Sequence, residues 1–235
     1  MSSAKALLGG ILGRYLFRDA QVTQVIDVGP SLRRIVLRGE ALRDVAWRPG
    51  DKLEVFLPEV GMRAYTPLRW DRDAGETELF VYLHGESPGA SWARGLRGDE
   101  RVQVFGPRRS LSVAEGAGVV LFGDETSLGL LHALALGPPA RAVTAVLEVG
   151  RPDEVRAAVA ALGLTATLIA RAPDDGHLDA VRDVIARARE AQPEAALVMS
   201  GRARGIQALR RALRTAPWAA IATKAYWSPG KVGLD

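Results

Sequence analysis

Arg63, Tyr65 and Thr66 lie close together in the stretch Arg63-Ala64-Tyr65-Thr66-Pro67-Leu68-Arg69-Trp70-Asp71. A guanidinium offers a planar fork of donors that suits two phosphate oxygens. An aromatic ring can pack on another flat ring, and a hydroxyl can hydrogen-bond a ring heteroatom. A flavin nucleotide carries a phosphate, a flat ring and such an atom. The flanking runs Lys52-Leu53-Glu54-Val55-Phe56-Leu57 and Glu78-Leu79-Phe80-Val81-Tyr82-Leu83-His84 alternate in polarity, the period of a strand. On a strand Arg63 and Tyr65 share one face and Thr66 takes the other, unless a bulge turns it. The same residues would also suit an outer strand with a solvated Arg and a Tyr filling a core gap.

Further groups able to meet an anion follow. Ser87-Pro88-Gly89-Ala90-Ser91-Trp92 has the residues of a helix start, where free amides and the helix dipole favour negative charge. A simple capped connector helix would look the same. Gly123-Asp124-Glu125-Thr126 follows the apolar run Val119–Phe122. It is not a GxGxxG fingerprint, and its two carboxylates would repel a pyrophosphate unless their side chains turn away. As a plain helix cap it would use Asp124 or Thr126.

The elements that must position these groups fall into two sets. From about Asp19 to Leu111, short strands are punctuated by Gly-Pro and similar turns, as in a barrel or sandwich. From Val119 on, strands at 119–122, 142–149, 165–170, 195–200 and 219–225 alternate with helices at 127–136, 152–162, 178–191 and 202–215. That alternation predicts βαβ units and a Rossmann-like parallel sheet, with the boundary near Ser112–Gly116. Ligands of such sheets bind outside the carboxyl ends of the strands. Here those ends carry Gly123 to Thr126, Glu148 to Arg151, Arg171, Ser200 to Arg204, and Tyr226-Trp227.

Composition narrows the chemistry. The 235 residues include no cysteine, which excludes thiol catalysis, thiolate zinc and iron–sulfur ligation. His84, His132 and His177 show no metal-ligand spacing, and no G-x-S-x-G elbow is present. Redox chemistry must therefore come from a bound cofactor. The net charge is +4 with acidic residues interspersed, which favours small anionic ligands but not nucleic acid. No run approaches the roughly 20 apolar residues of a spanning helix. Ala6–Gly13 reads as a terminal segment that docks or frays, and the protein is expected to be cytoplasmic, without stable membrane insertion, as a monomer or weak dimer.

Taken in order, Arg63-Ala64-Tyr65-Thr66, Leu83-His84-Gly85, Gly89-Ala90-Ser91-Trp92-Ala93, Gly98-Asp99, Gly106-Pro107, Gly123-Asp124-Glu125-Thr126 and Ala225-Tyr226-Trp227 resemble the ferredoxin–NADP reductase superfamily. More narrowly they resemble the siderophore-interacting proteins, FAD-dependent ferric-siderophore reductases. The resemblance implies a six-stranded antiparallel FAD-binding barrel over residues 1–112 and a Rossmann-like five-stranded parallel α/β domain binding NADPH or NADH over 113–235. It places Arg63 on the FAD pyrophosphate, Tyr65 on the isoalloxazine and Thr66 near its N5. Leu83 and His84 would run along the flavin or ribityl chain, and Gly89, Ala90, Ser91 and Trp92 would meet the pyrophosphate end. Thr126 would sit where flavin and nicotinamide meet, and Tyr226-Trp227 would pack close to the flavin from the second domain. Gly123, Asp124, Glu125, Glu148, Arg151, Ser200 and Arg202 would serve the nicotinamide dinucleotide. Ser200-Gly201-Arg202 stands where the family often has Ala-Gly-Glu, and Pro67-Leu68 where a Val-Arg pair is common.

The implied reaction passes hydride from NAD(P)H to the flavin, then single electrons to iron(III) in a ferric siderophore. Arg108, Arg109, Lys224 and Lys231 are candidates to dock an anionic chelate. Arg151 or Arg202 would favour a 2′-phosphate, whereas Glu148 would suit ribose hydroxyls. Two other readings stand beside this one: a general NAD(P)H:flavin reductase serving a protein partner, and a flavin- or siderophore-binding module without turnover.

Overall fold

A computed structural model of the chain describes residues 17–58, 60–114, 116–137 and 141–230. The expected terminal segment Ala6–Gly13 and the candidate Lys231 lie outside the described residues. Seven antiparallel strands form the first sheet: β1 (Phe17–Asp27), β2 (Leu32–Arg38), β3 (Lys52–Leu57), β4 (Gly61–Tyr65), β5 (Trp70–Asp71), β6 (Glu76–Tyr82) and β7 (Arg101–Arg108), in the order β4-β3-β7-β1-β2-β6-β5. Six strands were expected. The seventh is the two-residue β5, too short to show an alternating pattern; it pairs Trp70 with Thr77 and Asp71 with Glu76. The sheet curls so that β4 comes near β6. Its inward residues, among them Val22, Ile35, Leu37, Leu53, Val55, Leu79 and Val104, form a core of their own. Helix α1 (Pro88–Gly95) crosses between β6 and β7, capped by the Ser87 side chain, which accepts from the Ala90 amide.

The second sheet is entirely parallel: β8 (Val119–Gly123), β9 (Val143–Val149), β10 (Thr167–Ala170), β11 (Ala196–Arg202) and β12 (Ile221–Trp227), in the order β10-β9-β8-β11-β12. The connecting helices are α2 (Leu128–Leu136), α3 (Pro152–Ala161), α4 (His177–Ala191) and α5 (Ala203–Ala212). β8 and β11 are buried along their whole length, which is why they read as continuous apolar runs. β11 extends two residues beyond the expected end at Ser200, and α5 stops at Ala212 instead of Thr215. The order of strands reverses between β8 and β11, so their carboxyl ends open the crevice at a topological switch point.

The two sheets are joined through packing as well as chain. Leu32, Leu68 and Phe80 of the first sit in one continuous core with Leu121, Leu128, Leu131 and Leu147 of the second. Gly129 on α2 lies so close to the β4–β5 loop that a Cβ there would stand 2.5 Å from the Thr66 carbonyl oxygen. His132 Nδ1 donates to the Leu68 carbonyl at 3.2 Å, and the Ser31 hydroxyl donates to Glu154 across the same boundary. No helix among the described residues is long and apolar enough to cross a membrane.

Candidate functional site

A cleft of about 360 Å³ opens between the two sheets. Its barrel wall carries Arg63, Tyr65 and Thr66 from the end of β4, His84 from beyond β6, and Gly89 and Ala90 from the first turn of α1. The opposite wall carries Thr126 and Lys224–Trp227.

Arg63 donates only to the carbonyl oxygens of Met62 and Val60 and pairs with no carboxylate among the described residues. A cation without a counter-charge at the lip of a cleft is suited to an anionic ligand. Tyr65 packs against Trp92 with ring centroids 5.9 Å apart, and burial pushes its phenol pKa up despite the opposing charge of Arg63. Its hydroxyl would meet a Cβ on Gly89 at 2.7 Å, so glycine is what allows the α1 start and the Tyr65 ring to share this wall. Thr66 Oγ1 and the Tyr226 hydroxyl lie 3.0 Å apart, a hydrogen bond directly across the boundary.

His84 forms the middle of an aromatic ladder, 5.5 Å from Tyr82 and 5.9 Å from Trp227, both near-parallel. Burial, with the charge of Arg94 adding to it and that of Glu125 opposing, lowers the His84 pKa and favours a neutral ring. Trp227 is fixed on three sides: Nε1 donates to Asp124 Oδ2 at 2.7 Å, one contact is the His84 stack, and the Arg171 guanidinium lies 5.7 Å from its ring centroid.

The carboxylates after β8 do turn away from the cleft. Asp124 is 0% exposed; it accepts from Thr126 N and Oγ1 and from Trp227, and its carboxyl fills the space under Gly201, where a Cβ would stand 2.4 Å away. Burial, then the charge of Glu125, pushes its pKa up to about 6 against those hydrogen bonds. Glu125 pairs with Arg171 at 2.7 Å and accepts from the Gly150 amide at 2.6 Å. Glu148, also 0% exposed, receives Arg202 through two parallel bonds of 2.8 and 2.7 Å and the His177 ring at 2.7 Å. The His177 Nδ1 accepts from the Ala172 amide, which places the ring proton on Nε2, facing Glu148.

Several of the expected residues lie away from the cleft or have their polar groups already engaged. Leu83 and Trp92 pack into the barrel core instead of lining the cleft, and the Leu83 amide and carbonyl are taken by Ser31 and Arg94. The Ser91 amide closes the first turn of α1 on Ser87, so it is not free for a phosphate. In the dinucleotide set, Gly123, Asp124, Glu125, Glu148, Ser200 and Arg202 are all buried. Ser200 donates to Ser127, Glu148 and Arg202 satisfy one another, and Asp124 and Glu125 are taken by Trp227 and Arg171. Arg151 alone of that set is exposed, paired with Glu154 at 2.9 Å. Arg108, Arg109 and Lys224 do converge, with Lys52 and Ser110, on a groove adjoining the cleft. Glu54 bridges Lys52 (3.1 Å) and Arg108. Lys52, Glu54 and Tyr82 were missed as cleft residues. The signal for the first two was present, since polar side chains two apart on an otherwise apolar strand share a face.

A curled antiparallel barrel, a parallel α/β unit and a cleft between them make up a ferredoxin reductase-like fold. The phthalate dioxygenase reductase structure superposes with a TM-score of 0.73 at 11% identity, over 93% of this chain and 71% of that one. A siderophore utilization protein from T. fusca gives 0.71 at 23% identity, covering 93% and 95% of the two chains. The siderophore-interacting protein SipS from Aeromonas hydrophila gives 0.70 at 22%, covering 92% and 93%. At such identities these likenesses establish the fold.

The family model of the siderophore-interacting FAD-binding domain matches residues 58–111, and that of the siderophore-interacting protein matches 117–230. The chain belongs to the siderophore-interacting protein family, and its front part carries that family's FAD-binding domain.

Proposed function

We propose that the protein is an FAD-dependent reductase that takes hydride from NAD(P)H and reduces a ferric siderophore, releasing iron(II), in the cytoplasm. In this reading residues 1–112 hold the flavin and 113–235 bring the dinucleotide to it. The observation that carries it is the cleft wall made by Arg63, Tyr65, Thr66 and the start of α1. There an unpaired guanidinium, an aromatic face, a hydroxyl and first-turn backbone stand together as a flavin dinucleotide requires. The glycine at 89 lets the Tyr65 hydroxyl come up against the first turn of α1, which holds that ring in the wall.

An FAD held by Arg63, Tyr65 and Thr66 would supply the conversion of a two-electron hydride donor to one-electron reduction, so that one dinucleotide would serve two iron(III) centres. The chain's own groups bind and orient. Arg63 and the Gly89 amide would neutralise the pyrophosphate, the Ala90 and Ser91 amides being taken by Ser87. Thr66 is held by Tyr226, which fixes its hydroxyl for the ring's polar edge. Trp227, anchored by Asp124, excludes water from the ring's outer face. Lys52, Arg108, Arg109 and Lys224 make the lip cationic, which suits an anionic iron(III) chelate, whereas iron(II) is a poorer match for hard oxygen donors and leaves. Arg108 and Lys52 are drawn inward by Glu54, so Arg109 and Lys224 carry the outer charge.

The test is anaerobic reduction of the flavin-loaded protein with NADH and with NADPH, followed by ferric siderophores and a colorimetric iron(II) trap. Flavin bleaching, with iron(II) appearing faster from siderophores than from ferric citrate, is expected. Equal rates from every iron source would favour a general flavin reductase, and no bleaching by either dinucleotide would remove the catalytic reading.

A further inference from the structure

Four arginines stand at the carboxyl ends of the second sheet, where a dinucleotide crosses: Arg151, Arg171, Arg202 and Arg204. A 2′-phosphate needs one of them, because in such folds an Arg accommodates that group while a carboxylate takes the free ribose hydroxyls. Each is already engaged. Arg171 pairs with Glu125, and Arg151 with Glu154. Arg202 is held by Glu148 on one side and by Asp175 at 2.7 Å on the other. Arg204, 67% exposed and the best placed for a ligand, is held by the second oxygen of the same Asp175 at 2.6 Å.

Asp175 is built for this position. Its φ of +64° is a left-handed conformation that Asp tolerates better than most side chains. Its amide donates to the Ala172 carbonyl at 3.1 Å, closing a turn just before α4 that points the carboxylate between the two arginines. Burial opposes its ionisation, but the hydrogen bond and charge of Arg202, with Arg204 and His177, hold its pKa below the usual range. Asp174 beside it is exposed and pairs with no cation among the described residues. A phosphate dianion arriving here would have to compete with Asp175 for Arg204 and would lie beside the exposed Asp174.

Resting on the reading that a nicotinamide dinucleotide is the electron donor, we propose that Asp175 is a specificity-determining residue: by engaging both Arg202 and Arg204 it withholds a cation from a 2′-phosphate, and the protein takes NADH in preference to NADPH. The wild-type protein is expected to favour NADH by at least about tenfold in kcat/KM for anaerobic flavin bleaching. By calorimetry it should bind NAD⁺ more tightly than NADP⁺, and 5′-AMP more tightly than 2′,5′-ADP. Asp175→Asn keeps the turn geometry and removes the charge, so it should tighten 2′,5′-ADP about tenfold and shift the NADH:NADPH ratio toward NADPH by a similar factor. Equal or reversed preference in the wild type overturns the inference while leaving the donor reading intact. An Asp175→Asn protein that is folded by circular dichroism and keeps the wild-type ratio also overturns it. Bleaching by neither dinucleotide removes the donor reading and the inference with it.

Discussion

Arg63 on the barrel wall and the charged cluster behind the α/β wall are satisfied in opposite ways. On the barrel side Arg63 has only backbone carbonyls for partners among the described residues, and the α1 start is kept small by Gly89. On the α/β side Asp124, Glu125, Glu148, Arg171 and Arg202 are buried or half-buried and paired with one another or with Trp227. An anionic ligand would give Arg63 the counter-charge that the Met62 and Val60 carbonyls do not supply. The buried cluster on the α/β side is complete without a ligand. The difference fits a protein that keeps one cofactor resident on the barrel and receives the other transiently.

The comparison can be broken most severely at Glu148. Glu148→Ala leaves Arg202 buried without its main counter-charge and should cost about 3–5 kcal/mol of folding stability by denaturant titration. FAD affinity of the folded fraction should be little changed. Arg63→Ala should do the reverse: stability of the apo-protein held, FAD binding weakened about 10–100-fold, the loss of one charge-assisted contact. If either substitution produced the other's effect, the contrast between the walls would be wrong.

Gly129→Val acts on the seam between the walls. A Cβ 2.5 Å from the Thr66 carbonyl oxygen must push α2 off the β4–β5 loop, at about 1–3 kcal/mol, and should slow flavin reduction by loosening the Thr66–Tyr226 contact. Unchanged stability and rate would show that the two units do not rely on this approach.

The smallest effect is one of slope. Asp124 has a folded-state pKa of about 6 against an ordinary 3.8, raised first by burial and then by Glu125. Between these values the folded state binds more protons than the unfolded state, so this group lowers stability as pH rises through the window; above about pH 6 the penalty is complete. The stability of the wild type relative to Asp124→Asn should therefore fall between about pH 4 and pH 6 and then level off. A difference independent of pH would contradict the assignment.

Much of this was legible in the sequence because it is local. The period-two runs around Arg63 and the continuous apolar run Val119–Phe122 announce their strands, and the Pro-Gly start of α1 announces its helix. The conditional reading of Asp124 and Glu125, harmless to a ligand only if turned away, is how they lie. What escaped is long-range. Glu148 and Arg202 are 54 residues apart and meet only because β8 separates their strands in the sheet, so each looked like a separate ligand for a dinucleotide. Leu83 and Trp92 were taken for cleft residues by their neighbours in the chain, whereas the strand alternation that exposes His84 turns Leu83 inward.

The most direct measurement is an equilibrium titration of the folded apo-protein with FAD, followed by visible absorbance and repeated with Arg63→Ala. One tightly bound FAD per wild-type chain, with markedly weaker binding by the folded variant, is the expected result. A wild-type protein that stays colourless with FAD in excess while its fold is intact, or a variant that binds as tightly as the wild type, would contradict a barrel wall built around a flavin pyrophosphate.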